Sequence, residues 1–409
     1  MLNLSERFLR LWRIGVLGVL LPLLLSGCVI QPPATGASLP RSVGLHQVSL
    51  KSLPGWETAS VETGLATCLR SCGVIQVLPE DQTLGGRGLA ASLGGKAGQW
   101  RPVCAAARAV PPGNARAARA FFEAHFAVYA VSGVTRITGY FEPLYPGSEI
   151  RLPGYTVPIY GKPRNIVRAD LGAFKPSLGK QEVVGRLRYG VLVPYYSRAQ
   201  INEGAIIRDA SVVAWLRNPV DAYMAQLQGS ARLRLPDGTL IDIGFDGTNG
   251  RAYTPIGKLM VQKRYLPADD VSIDSIAAWL RTHPEEAADL MDANKNYVFM
   301  KRISGVPTGF GAPGALGVPL TPTASIAVDP AAIPLGAPVF ISTRKADTLA
   351  VAQDIDVSAH GGSAAQIFCG VGRDARRLAA ATREDGGDGR MFVFLPRSAP
   401  AVVTAEGTS

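Results

Sequence analysis

Near the C-terminus, the stretch VAQDIDVSAHGGSAAQIFCGVG, residues 351–372, gathers side chains that could do chemistry: Asp354, Asp356, Gln366 and Cys369, with paired glycines at 361 and 362. Carboxyl groups at the end of an apolar run could give and take protons, and glycine lets backbone approach a ligand closely. Gln366 offers only hydrogen bonds, because an amide neither donates nor accepts a proton in chemistry near neutral pH. The aspartates also suit a plainer duty, satisfying backbone groups at a strand end and turn.

Positioning such groups calls for a sizeable scaffold. The 409 residues exceed one ordinary domain and fit two, or one large domain with an insertion. With 45 Gly and 30 Pro, the chain favours many short strands and turns over a helical bundle. ITGYFEPLY, GYTVPIY, RYGVLVPYY, ARLRL, TLIDIGF, SIAVDP, APVFIST, TLAVAQDID and RMFVFLP read as strands bounded by Gly, Pro or Asp-Gly. Helices are fewer. Asn114 caps ARAARAFFEAHFAVY, with Phe121, Phe122, Phe126 and Tyr129 on its apolar side and His125 as a packed histidine. Pro219 starts a helix that Gly229 ends, Ser272 caps another, and Pro284 opens a short one with Glu285 and Glu286 in its first turn.

Arg7, Arg10 and Arg13 precede the apolar run Ile14 to Leu25, too short for a comfortable membrane span and typical of an export signal. Its end, Leu25-Ser26-Gly27-Cys28, resembles the bacterial lipobox, which implies cleavage before Cys28 and lipidation of that cysteine. Several acyl chains anchor stably where one binds marginally. With Val29 and Ile30 next, the sorting rules of such lipoproteins imply the outer membrane. Residues 29–45 read as a tether and SAPAVVTAEGTS as a loose tail. Cys68, Cys72, Cys104 and Cys369 remain, an even count in a compartment that permits disulfides. Cys104 is expected to bridge to Cys68 or Cys72, and no ligand spacing points to zinc. The net charge is +10, of which the leader carries +2. Export excludes nucleic acid and leaves an anionic wall polymer or lipid surface as the partner of the basic chain.

The ordered segments TGYFEP, VPIYGKP, PYYSRAQI, LQGSARL, DGTNGRAYTPIGK, NYVFMK, GVPLTPTASIAVDP, IPLG and IFCGVG together resemble the membrane-bound lytic murein transglycosylase A family, including its C-terminal three-aspartate domain. The resemblance runs from about Thr138 to Pro396. It implies a mainly β fold with few helices: a double-psi β-barrel domain over 46–141 and 248–396, interrupted by a smaller β-rich domain over 142–247, with 397–409 as tail. It also implies peptidoglycan glycan strands as substrate, with cell-wall remodelling proteins as candidate partners and no metal or organic cofactor. In the family reaction, one carboxylic acid protonates the oxygen between N-acetylmuramic acid and N-acetylglucosamine. Its conjugate base then takes the proton of the muramoyl C6 hydroxyl, which closes a 1,6-anhydro ring. Hydrolases usually need a second carboxylate to activate water or attack the sugar, and an internal nucleophile removes that need.

Carried over by position, the three aspartates fall at Asp329, at Asp354 and at the place held by Gln366. The third is the family's catalyst, so an amide stands where the acid is expected. Asp356 and Val357 occupy a family Gly-Gly pair, and Ala364 an expected arginine. Three readings stay open: an altered enzyme in which Asp354 or Asp356 supplies the acid, a glycan binder without turnover, or aspartates that only support backbone. Tyr140, Gln228, Ser230, Asn249 and Tyr253 are expected to line a saccharide groove, with structural alternatives for Tyr140 in a strand core and Asn249 in a turn.

Overall fold

The computed structural model describes residues 44–84, 88–179, 181–356, 364–384 and 388–397. The export signal, Cys28 and the paired glycines at 361 and 362 lie outside the described residues. Among those described, no helix is long and apolar enough to cross a membrane.

The strands before the insertion are β1 (Leu45–Val48), β2 (Phe126–Val131) and β3 (Thr135–Glu142). Those of the central part are β4 (Leu144–Ser148), β5 (Val157–Tyr160), β6 (Val167–Asp170), β7 (Glu182–Arg188), β8 (Val191–Pro194), β9 (Val212–Leu216), β10 (Ser230–Arg234), β11 (Leu240–Thr248) and β12 (Val298–Ile303). The last part adds β13 (Ser325–Val328), β14 (Pro338–Thr343), β15 (Asp347–Ile355), β16 (Ala364–Val371) and β17 (Asp388–Pro396).

Six of these close into a barrel, β3-β17-β14-β15-β13-β16, because β17 pairs with both β14 and the start of β3. Closure leaves no open sheet edge in the ring. β13 with β15 and β16 with β3 run parallel, and β2 and β1 extend the sheet beyond β17. The central part forms a six-stranded sheet, β12-β11-β10-β4-β9-β5, and a separate three-stranded one, β6-β7-β8. This sheet continues past Gly247, the expected end of the insertion, because β12 hydrogen-bonds along β11.

The barrel core is aliphatic and aromatic, with Ile137, Val339, Phe340 and Phe394 buried against Trp56, Trp100, Phe122 and Phe126 from the N-terminal segment. Burial of each such side chain stabilises the fold by about 1.5–3 kcal/mol. Helices outnumber those the sequence signalled, with Glu62–Ile75 and Ala97–Arg108 unforeseen. Cys72 on the first of them bridges to Cys104 on the second, while Cys68 stays a free, buried thiol whose pKa burial pushes up to about 12. The helix capped by Asn114 runs Ala115–His125 and stops there, short of the expected Tyr129. Phe126 to Ala130 instead pair with β17, since the aromatic and β-branched residues of FAVYAV gain more in the sheet than in another helical turn. His125 is half-buried, its ring against Phe121. The other three helices start as read, with Asn218 accepting from Val220 N–H at 2.8 Å and Ser272 from Ser275 N–H at 3.0 Å, and Pro284 at the first position of the last.

Candidate active site

Asp354 owes its position to the residue before it. Gln353 is fully buried, donates to Thr67 O at 3.1 Å and Ser71 Oγ at 2.8 Å, and accepts from Ser325 Oγ at 2.6 Å. The β13–β15 register slips at this point, so that Ala327 faces Asp354 and Gln353 is left over as a bulge. Such a bulge turns the next side chain away from the regular alternation. Asp354 then accepts three hydrogen bonds: from Tyr140 Oη at 2.9 Å on one oxygen, and from Ala315 N at 3.0 Å and Ile355 N at 2.9 Å on the other. Burial raises its pKa, those three donors pull the other way, and the charge of Asp356 adds a small upward push. Burial, then the charge of Asp354, keeps the Tyr140 phenol protonated and donating.

Asp356 follows β15 and is buried, its Oδ2 accepting from Gln366 Nε2 at 2.8 Å. Asp329 ends β13 in a turn, where its Oδ1 accepts from Ala331 N–H at 2.8 Å. Cys369 points elsewhere, into a separate and mostly apolar cavity lined by Ile137, Ile341 and Leu378, and burial raises its thiol to about 11.

Between the barrel and the central sheet lies a cavity of about 870 Å³. The barrel side contributes Tyr140, Glu142, Asp354 and Phe368, and the central part contributes Gln228, Ser230, Phe245, Lys301 and Arg302. A second hollow of about 520 Å³ shares Tyr140, Phe141 and Gln228 with it and adds Gln366 and Arg376. The helix Pro219–Gln228 delivers Gln228 at its last residue, Gly229 (φ 77°) reverses the chain, and β10 begins at Ser230. Glycine alone takes that left-handed turn cheaply. Three of the five expected groove residues, Tyr140, Gln228 and Ser230, therefore meet in one cavity.

The other two do not. Asn249 is fully buried, donates to Tyr196 O and Lys295 O at 2.8 Å each, and accepts from Tyr297 N at 2.9 Å. Every one of those bonds knits loops together, so no side-chain donor is left for a sugar. Tyr253 sits 57% exposed on the loop after β11, outside both hollows.

Glu142, the acid of TGYFEP, enters the cavity wall with 2% of its surface exposed. Oε2 accepts from Ala312 N–H at 2.9 Å, and Oε1 is buried with no partner. Burial is the main reason its pKa rises to about 7; the Ala312 N–H and the charge of Arg232 lower it, and Asp242 raises it. Arg232 and Asp242 face each other across β10 and β11 and pair at 2.6 Å. Arg232 also donates to Phe310 O at 2.9 Å, which steadies the loop that carries Ala312 and Ala315. Gly311 in this loop is required, since a Cβ there would sit 2.2 Å from the Phe368 ring. The sequence signal available was a lone acid in the otherwise uncharged run ITGYFEPLY.

A family model described as the MltA specific insert domain matches residues 136–301, and one described as the 3D domain matches 324–387. The membrane-bound lytic murein transglycosylase A of Escherichia coli K12 is 30% identical over 206 residues, which are 50% of this chain and 48% of that protein. The match thus spans about half the length of that curated relative. Among solved structures, MltA from Neisseria gonorrhoeae has a TM-score of 0.71 at 28% identity, covering 88% of this chain and 96% of the other. The lytic transglycosylase LtgG of Burkholderia pseudomallei is 30% identical with a TM-score of 0.53, covering 88% of this chain and 97% of its own.

Proposed function

Since this chain belongs to the membrane-bound lytic murein transglycosylase A family, we propose that it cleaves the β-1,4 bond between N-acetylmuramic acid and N-acetylglucosamine in peptidoglycan, leaving a 1,6-anhydro end. The observation that carries this reading is the single cavity in which Tyr140, Gln228 and Ser230 converge on Asp354. Rings stack on sugar faces, and amides and hydroxyls read sugar hydroxyls. Asp354, with both oxygens accepting, suits stabilisation of the positive charge that develops at C1 as the bond breaks.

A second reading, glycan binding without turnover, is favoured by one observation: Gln366 replaces the family acid, and its amide is already engaged by Asp356. Incubating the protein with murein sacculi and looking for 1,6-anhydromuropeptides by mass spectrometry separates the two. Anhydro products support cleavage; their absence, with the protein still retained on sacculi, leaves only the binder. The chain works from the outer membrane, held by lipid on Cys28 and facing the periplasm, with a tether between lipid and fold. On this reading Cys28→Ala moves the protein from the membrane fraction to the soluble one, and a variant that stays membrane-bound refutes the anchor.

A further inference from the structure

We infer that Glu142 is the acid and base of glycan cleavage in this chain, doing what Gln366 is chemically unable to do. The inference rests on the cleavage reading above. Three observations meet at this residue. Glu142 lines the same cavity as Tyr140, Asp354, Gln228 and Ser230. Its carboxyl is almost completely buried with a single backbone donor, and Oε1 has no protein partner. The loop 312–315 donates one N–H to Glu142 and another to Asp354, so both carboxyl groups are oriented by one short segment.

The remaining acids are committed elsewhere. Asp354 holds three donors, Asp356 faces the Gln366 amide, and Asp329 caps a turn. Three donors oppose the burial that raises Asp354, whereas Glu142, buried with one backbone donor, keeps its proton to higher pH. Burial brings Glu142 to about 7, near the range where one group both gives and recovers a proton efficiently.

The step balances with one proton. The Glu142 carboxyl protonates the glycosidic oxygen as the C1–O bond breaks, and the bonding electrons leave with that oxygen. The resulting carboxylate takes the proton of the C6 hydroxyl while its oxygen bonds to C1. Glu142 is thereby returned to its acid form, the 1,6-anhydro ring is closed, and no water or oxidant is consumed. Asp354 remains an acceptor throughout and compensates the charge at C1.

The test uses the full chain, murein sacculi and release of 1,6-anhydromuropeptides followed by mass spectrometry, for wild type, Glu142→Gln and Glu142→Asp. Glu142→Gln is expected to slow release at least about 100-fold while sacculus retention is unchanged, with Glu142→Asp intermediate. The wild-type rate is expected to fall as pH rises through about 7, where the acid form is lost. A Glu142→Gln rate within about threefold of an active wild type overturns the role of Glu142 and leaves cleavage standing. A wild-type rate independent of pH from about 5.5 to about 8.5 overturns it too, whatever the variants do. Wild type that releases no anhydro product overturns the cleavage reading and the role of Glu142 together.

Discussion

The two walls of the barrel side of the cleft hold their carboxyl groups in opposite ways. At the end of β15, Asp354 accepts from Tyr140, Ala315 and Ile355, and the neighbouring Asp356 accepts from Gln366. At the end of β3, Glu142 has one backbone donor and an oxygen with none. Burial raises both Asp354 and Glu142, yet only for Asp354 do three donors oppose it. The difference shows that position in a family pattern does not by itself decide which carboxyl carries a proton; the balance of desolvation and donors does.

The comparison is sharpened most by stability. Glu142 has a folded pKa of about 7 against an ordinary 4.5, so the folded state binds the proton more tightly than the unfolded chain. The penalty for ionising it in the fold is therefore absent below about pH 4.5, and it grows as pH rises until it is complete above about pH 7. The full penalty is about 3 kcal/mol. Glu142→Gln should remove it, so the variant gains about 3 kcal/mol on wild type between pH 4.5 and pH 8 in urea unfolding. A stability difference that does not change with pH would mean that Glu142 ionises as freely as an exposed acid.

A smaller effect is expected on the other wall. Gln366→Asp sets a second carboxyl beside Asp356, and two neighbouring carboxylates resist joint ionisation, so one of them retains a proton. Release of anhydromuropeptides should rise about tenfold over wild type, equivalent to about 1.4 kcal/mol. No gain would show that the amide is not what separates this edge from β3. A gain that persists in the double variant with Glu142→Gln would make the two walls alternative sources of the same proton.

Much of the scaffold was legible. Short strands between Gly, Pro and Asp-Gly signals, the caps at Asn114 and Ser272, the helix start at Pro219 and the reversal at Gly229 all reflect local backbone preferences that neighbouring residues impose. The end of the Ala115–His125 helix was not legible, because Phe126 to Val131 suits either element until β17 arrives to pair with it. Asn249 had two readings, turn and groove, and the carbonyls of Tyr196 and Lys295 decided for the fold.

What the sequence determined alone was the order of motifs, the family, the amide at position 366 and an even set of four cysteines after Cys28. Which cysteine joined Cys104 was settled only by packing: Cys68 and Cys72 lie one turn apart on the same helix, and Cys72 is the one bonded to the helix Ala97–Arg108. The same holds for Glu142, which in sequence is one acid between an aromatic and a proline. Its proton affinity comes from Ala312, Arg232 and Asp242, far away in the chain, and from the loss of water around it. Local propensity is written in neighbouring residues, whereas desolvation and charge belong to whatever the folded chain brings within reach.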